Sequence, residues 1–368
     1  MKILKTPKLF VITMIWMMFL VIIGTIAQKN MGLFAVQEKY FSSWILWIWY
    51  LPLPGARPTM LLMFINLFFF FFNKSLWKRG KLGIIILHLG GLLLLIGGGL
   101  TAIFSSEGNM VIDEGATVDF IEDYHYMELA IINTTHNDSD SYVVFDHQLL
   151  NSGNFLKHNK FNFEIEIIDY LKNCEPKRRN KPAPIQFKGM MKNFMLENLP
   201  PLKEENLNRP GIIFNLSNSG NNSDGIYSLF LGQSIPQQLK INNQDYVILF
   251  RKKRTYLPFE IKLLDFKKIM HPGTGIAKSY SSDIDLIEEG IAKKIKIKMN
   301  HPLRHNGYTF NQSSFIETPE METSVFAVVK NYGRLFPYIS SIIMCFGLLL
   351  HLVSKLPRLF KRYYHESN

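Results

Sequence analysis

Four stretches of the chain are almost purely apolar. Leu9–Ala27 runs 19 residues without a charge, Leu82–Phe104 runs 23 and Leu335–Ser354 runs 20. Each matches the roughly 20 helical residues that cross a hydrocarbon core. Thr59–Asn73 is shorter, at 15 residues, and includes Phe68 to Phe72 in unbroken succession. It predicts a further span if Lys74 and Trp77 reach out to the membrane interface.

Between Ser105 and Arg334 the runs give way to alternation. Phe161, Phe163, Ile165 and Ile167 alternate with Asn162, Glu164 and Glu166, and Ile295, Ile297 and Met299 alternate with Lys294, Lys296 and Lys298. A period of two puts one face of a strand in a core and the other in water. Met127–Ile132, Tyr142–Phe145, Gly211–Leu216, Tyr246–Phe250, Glu260–Phe266, Tyr308–Gln312 and Ser324–Val329 are further expected strands. Turn residues at Gly220–Gly225 and Asn242–Gln244 separate some of them. The expected fold is a multi-span α-helical membrane protein of about four transmembrane helices with a large all-β extracytoplasmic domain, a sandwich or open barrel.

The expected organisation is therefore a membrane region 1–104, with helices at about 9–27, 59–73 and 82–104. A β domain follows over 105–334, then a fourth span over 335–354 and a basic tail over 355–368. Within the β domain, Lys172–Pro210 carries six prolines and the basic run Lys177-Arg178-Arg179. Its apolar residues Phe187, Met190, Met191, Phe194, Met195 and Leu199 predict one face of a short helix, either capping the β core or forming a flap toward a partner or membrane.

The formal net charge of +11 raises the question of nucleic acid. Residues 105–334 hold 27 Lys/Arg against 28 Asp/Glu, while the remainder holds 14 Lys/Arg against two acids. The excess lies beside the apolar runs, so a nucleic-acid role loses its support. Lys2, Lys5 and Lys8 precede the first span, Lys74, Lys78, Arg79 and Lys81 fill a short loop, and Lys355, Arg358, Lys361 and Arg362 follow the last span. All three clusters share a side if both termini are cytoplasmic, which leaves 105–334 outside. The first apolar run exceeds a signal peptide's usual 7–15 residues and reads as a retained anchor, with cleavage before Gln28 as the alternative.

Phe41–Pro58 contains Trp44, Trp47, Trp49 and Tyr50, then Pro52, Pro54, Gly55 and Pro58. Aromatic residues of this kind favour the membrane interface, and the plain expectation for 41–58 is an interfacial helix turning into the second span. The W-x-x-W-x-W spacing is similar to the tryptophan-rich haem-handling motif of cytochrome c assembly proteins, but that motif's Gly and terminal Asp are absent. Cys174 and Cys345 fall in different regions and form no C-x-x-C pair, so thiol-disulfide chemistry falls to another protein.

His301 and His305 flank Pro302 in an expected turn, where their spacing brings nothing together for a metal. His125, His136, His147, His158 and His271 lie among polar residues and read as surface groups. Two histidines lie inside spans, where an ionisable side chain is a functional candidate. His88 lies about 9 Å from the cytoplasmic edge and His351 about 4.5 Å, at 1.5 Å per residue. An imidazole lone pair suits an axial haem position. The alternative is a hydrogen bond between helices, or headgroup contact for His351. Gly90, Gly91 and Gly97–Gly99 follow His88, and Gly98-x-x-x-Ala102 marks a face for close helix packing.

Two stretches resemble the ResB/CcsB family of cytochrome c biogenesis proteins, the partner of CcsA in the system II pathway. One is Gly83–Phe104, with His88-Leu89-Gly90, followed by Glu114-Gly115. The other is the ordered series Leu257-Pro258-Phe259-Glu260-Ile261, Asp265-Phe266, Tyr280-Ser281-Ser282, Asn300-His301-Pro302-Leu303, Gly307-Tyr308 and Gln312-Ser313-Ser314-Phe315. Asn311 stands where the family often has Tyr. The resemblance covers nearly the whole chain. It implies a subunit, without catalytic residues of its own, that helps move haem across a bacterial cytoplasmic membrane and present it to apocytochrome c. A CcsA-type protein would be its partner and a separate thiol-disulfide reductase would keep the substrate reduced. His88 matches the family's third-span haem ligand, and His351 is a further candidate. The competing expectation is a membrane-anchored β domain that senses or binds a ligand without haem.

Overall fold

The computed structural model describes residues 4, 6–74, 76–78, 80–135, 141–220 and 223–366, with side chains as far as Pro357. Lys2, Lys5, Arg79 and His136 lie outside the described residues, as do the side chains of Arg358, Lys361 and Arg362. The chain divides into a helical unit, residues 1–106 with 330–368, and a β unit, residues 107–329.

The helical unit opens with α1 (Pro7–Met31), entered through Pro7 in the first turn, where a missing N–H costs nothing. Gly32, at φ 83°, ends it, and a short α2 (Leu33–Val36) continues into a single π-turn at Gln37–Phe41. The segment expected as an interfacial helix is instead a β-hairpin, β1 (Ile45–Ile48) paired with β2 (Leu51–Pro54). Pro52 and Pro54 rule out helical hydrogen bonding here. Trp49, at φ 59°, makes the left-handed turn between the strands.

Next comes α3 (Ala56–Phe71), whose 16 residues span about 24 Å. It begins earlier than the expected 59–73 and stops short of a roughly 30 Å core. α4 (Leu82–Phe104) and α5 (Phe336–Glu366) complete the unit. Among the described residues α1, α4 and the first 22 residues of α5 are long and apolar enough to cross a membrane. The tail after Ser354 continues as helix through Pro357.

The β unit is built on antiparallel pairings. β3 (Ser106–Asp113), β4 (Thr117–Asn133) and β5 (Ser141–Asp146) come first, then β6 (Phe155–Leu156) and β7 (Glu164–Leu171). β8 (Cys174–Arg178) pairs β9 (Phe194–Asn198), and β10 (Gly211–Ser217) and β11 (Gly225–Phe230) follow. β12 (Gln237–Ile241), β13 (Gln244–Met270), β14 (Ala277–Glu288) and β15 (Ile291–Lys298) precede β16 (Leu303–His305), β17 (Tyr308–Glu317) and β18 (Glu322–Lys330). A ten-stranded sheet runs β15-β14-β13-β4-β3-β18-β17-β16, with β12 on β13 and β5 on β4, and a four-stranded sheet runs β11-β10-β7-β6.

Two expectations change here. The 172–210 insertion is a β-ribbon with 3₁₀ turns at Gly189–Lys192 and Glu205–Leu207, not the expected amphipathic helix. Pro182 and Pro184 break the backbone between its strands, and Gly189 takes φ 53°. Tyr246–Phe250 and Glu260–Phe266 belong to one strand, β13, joined through the charged run Arg251–Arg254. Pro258 falls inside a shift of register against β4, so its missing N–H breaks no ladder bond.

Two apolar cores fill this unit. One gathers Phe163, Ile165, Ile212, Phe214, Leu129 and Ile248, and the other Ile112, Ile261, Ile284, Phe310, Phe326 and Val328. Both draw on β4 and β13, which pass from one core into the other.

Candidate functional site

Alternation of direction organises the helical unit. Asn66, 2 % exposed near the end of α3, donates its Nδ2 to the carbonyls of Leu4 (2.7 Å) and Thr6 (3.2 Å), just before α1. α3 is therefore antiparallel to α1. A Cβ on Gly91 of α4 would meet Leu67 of α3 at 3.3 Å, and Phe70 of α3 packs on His88 of α4, so these two also run antiparallel.

The packing of α4 on α5 is closer still. Gly83, Gly90 and Gly97 recur every seven residues and place one bare stripe against α5. A Cβ at Gly83 would lie 2.5 Å from the backbone nitrogen of His351, and one at Gly90 would lie 2.5 Å from Met344 Cγ. A Cβ at Gly97 would collide with Phe336. The tight seam is thus this stripe and not the Gly98–Ala102 face, since a Cβ at Gly98 meets only Met60, at 3.9 Å. At the other end Thr101 Oγ1 donates to Asn331 Oδ1 at 2.9 Å.

Four helices alternating in direction bring three basic segments to one end of this unit: Lys8 before the apolar part of α1, Lys74, Lys78 and Lys81 between α3 and α4, and Lys355 on α5. The charge pattern alone groups the same segments.

His88 lies five residues beyond Gly83, about 7.5 Å deeper along α4 than the level of His351. Its Nδ1 is 2.7 Å from the carbonyl of Ile84 one turn earlier. A carbonyl only accepts, so Nδ1 carries the proton and a neutral ring presents its lone pair at Nε2. The Phe70 ring, 5.2 Å away between centroids and tilted by 31°, packs against the imidazole. The half-buried ring is thereby held in one tautomer and flanked by an aromatic plane. His351 presents a different arrangement: its Nδ1 is buried without a hydrogen-bond partner among the described residues, while its backbone packs on Gly83. The structure therefore sets the two histidines on opposite helices of the α4–α5 pair at different depths.

The β unit carries a polar belt where its two cores meet. Glu128, 3 % exposed, accepts Arg251 Nε at 2.8 Å and the Arg254 amide at 3.1 Å. Arg254 bonds Glu122 and stacks 3.9 Å over the Phe120 ring. Lys253 pairs with Asp146, which also contacts His147, and His147 stacks on Tyr126 at 4.0 Å. Burial alone would raise the Asp146 carboxyl, but the Lys253 hydrogen bond and charge outweigh it and hold it below the usual range. His125 and His147, expected at the surface, are partly buried in this belt: Asp123 caps the amides of His125 and Tyr126 on β4, and His147 lies against Tyr126 and Asp146. Burial pulls His125 below the ordinary histidine range, against the raising effect of Asp123. The sequence signal for the belt was present in the run Arg251–Arg254 opposite Glu122 and Glu128.

His301 and His305 do not converge. His305 Nε2 faces Glu288 at 3.1 Å, and no cluster of metal-ligating side chains occurs among the described residues. Cys174 is buried beside Leu171 and Leu196, and burial pushes its thiol up to about 11 despite the nearby Arg209.

Residues 232–329, from just before β12 to the last residues of β18, match the ResB-like family model. Over these residues the chain is similar to ResB-like proteins. It is also 20 % identical over 341 residues to Protein NrfI of Wolinella succinogenes, an alignment that covers 91 % of this chain and 33 % of that relative. The chain therefore spans about a third of the length of the curated relative it matches. The family match contains the whole series from Leu257 to Phe315, whereas His88 lies outside it.

Proposed function

We propose that this chain is a subunit of a system II cytochrome c synthase, which helps move haem across a bacterial cytoplasmic membrane and presents it for attachment to apocytochrome c. The observation that carries the reading is His88. Inside an apolar helix its Nδ1–H is tied to the Ile84 carbonyl, which leaves Nε2 as a lone-pair donor. Haem, as cargo, supplies an iron whose axial position accepts such a nitrogen. The Ile84 carbonyl orients the ring, Phe70 supports it, and the glycine seam fixes α4 against α5.

His351 stands at a different level on a different helix, so the second axial ligand is assigned to a CcsA-type partner rather than to this chain. The gathering of basic segments at one end of the helical unit supports cytoplasmic termini and an extracytoplasmic β unit. The buried thiol of Cys174 supports a separate thiol-disulfide reductase, since a neutral thiol is a poor nucleophile.

Co-purification with a CcsA-type protein and a haem spectrum for wild type and His88→Ala test the reading. Loss of the haem band in the variant, restored in part by added imidazole, is expected. Unchanged haem content and spectrum in His88→Ala would remove His88 from the site, and a colourless wild-type complex would favour a ligand-binding β domain without haem.

A further inference from the structure

The hairpin β1–β2 has properties that an interfacial loop does not require. No charge occurs between Lys39 and Arg57, and Ile45, Trp47 and Leu51 are more than half exposed. Trp49 and Tyr50 at the turn are 91 % and 93 % exposed. An apolar surface of this kind must be covered by something.

The depth of the hairpin narrows what that is. Trp16 Nε1 donates to the Pro54 carbonyl at 2.9 Å. Trp16 is only the tenth residue of α1, so the helix runs on for 15 residues, about 22 Å, beyond this contact. Leu46, Val36 and Tyr40 pack with Leu20 of that second half, and Gly24 lies against Phe41. The hairpin therefore stands beside the uncharged part of a membrane-spanning helix, not past its end. It also stands at the start of α3, the helix that is too short to cross alone.

The hydrogen-bond register adds an independent point. Gly55 N bonds Trp44 O at 3.2 Å, and the strands pair Ile45 with Pro54, Leu46 with Leu53, Trp47 with Pro52 and Ile48 with Leu51. In an antiparallel pair, hydrogen-bonded and non-hydrogen-bonded positions alternate. With Trp44–Gly55, Leu46–Leu53 and Ile48–Leu51 as the bonded pairs, Pro52 and Pro54 occupy the positions whose N–H would point outward. Both outward donors of β2 are thus absent by chemistry. The outward carbonyl of Pro54 is met by Trp16. In water such donors need no removal, whereas in hydrocarbon an unpaired one is strongly disfavoured, and the prolines leave outward N–H groups only on the β1 edge, at Ile45 and Trp47.

We propose that the segment 43–55 is a re-entrant hairpin embedded in the acyl-chain region, level with the middle of α1. Lipid tails cover its Ile45–Trp47 face, and it completes, beside α3, a crossing that α3 alone does not make.

The test uses the full chain in vesicles of phosphatidylcholine and phosphatidylglycerol. Trp47→Cys, and separately Ile45→Cys, are made in a Cys345→Ser background and labelled with bimane, Cys174 being buried. Ile185→Cys, 95 % exposed in the β unit, serves as the aqueous control. Nitroxides at mid-acyl positions are expected to quench both hairpin labels several-fold more than a headgroup nitroxide, with iodide quenching only the control. Strongest quenching from the headgroup would make the hairpin interfacial and overturn the proposal. Iodide quenching of the hairpin labels would place them in water, and the absence of quenching by any of these agents would show a protein partner on this face. Either result also overturns it.

Discussion

Gly83 of α4 lies against the backbone of His351 on α5, where an added Cβ would come within 2.5 Å of the His351 nitrogen and 2.7 Å of the Gly347 carbonyl oxygen. Backbone meets backbone here, so no side-chain rearrangement relieves a larger residue. At Gly90 an added Cβ would meet Met344 Cγ at 2.5 Å, with the Ser340 carbonyl oxygen at 3.0 Å and the Met344 nitrogen at 3.1 Å behind it. Gly90→Val should therefore lower the melting temperature of the detergent-solubilised protein, by a free energy of about 1–3 kcal/mol or more. Gly99→Val, where no atom of the described residues lies within 4 Å, should leave it unchanged. Equal melting for the two variants would show that the seam does not hold the helices.

Asn66 is a polar side chain fully enclosed in an apolar helix and spends its amide on two carbonyls ahead of α1. Asn66→Leu should cost about 1–2 kcal/mol, the range for such bonds between membrane helices. Protection of the α1 entry from amide exchange should fall with it. Exchange that stays as slow as in wild type would mean that the bond does not fix the entry.

Glu128 is the acid around which Arg251 and Arg254 are arranged. Glu128→Ala leaves the largely buried Arg251 guanidinium uncompensated, and denaturant titration should show a loss of about 3–5 kcal/mol. Arg251→Met with Glu128→Leu removes both charges and should recover much of it, a comparison that separates the pair from the packing around it.

His125 ties stability to pH. Burial lowers its folded value below the ordinary histidine range, so the unfolded chain binds the proton more readily. Stability is then full above the unfolded value of about 6.5 and falls as pH drops from there toward the folded value. His125→Gln should flatten the unfolding midpoint over that interval, whereas an unchanged pH profile would assign the dependence elsewhere.

Cys174 should resist thiol reagents in the folded protein, because the thiolate they require is suppressed by burial. Titration with a chromogenic disulfide before and after denaturation checks this. Prompt reaction of Cys174 under native conditions would contradict its placement.

Much of the fold was legible because membrane helices and half-buried strands have opposite periodicities. Leu82–Phe104 coincides with α4 residue for residue, and Asn242–Asn243 form the expected turn, both with positive φ. What stayed hidden depended on pairing. Pro52 and Pro54 signal the end of a helix, and only the register with Ile45 and Trp47 shows that they sit at outward positions of a hairpin. β13 reads as two strands because its middle is four consecutive cations, whose partners Glu122, Glu128 and Asp146 lie more than a hundred residues away. At the candidate site His88 stands out as an ionisable group in an apolar run. Its tautomer is set by the carbonyl of Ile84, a backbone atom that carries no sequence signal. The glycines at 83, 90 and 97 were visible as residues, but their shared stripe appears only against α5.

The two long strands have a consequence for how the β unit comes apart. β4 contributes Ile121 to one core and Leu129 to the other, and β13 contributes Ile261 and Ile248 likewise. Neither core can melt while leaving its neighbour's longest strands in place. Heating should accordingly give a single sharp calorimetric transition for this unit, and mechanical load applied at one core should be carried through the backbone into the other.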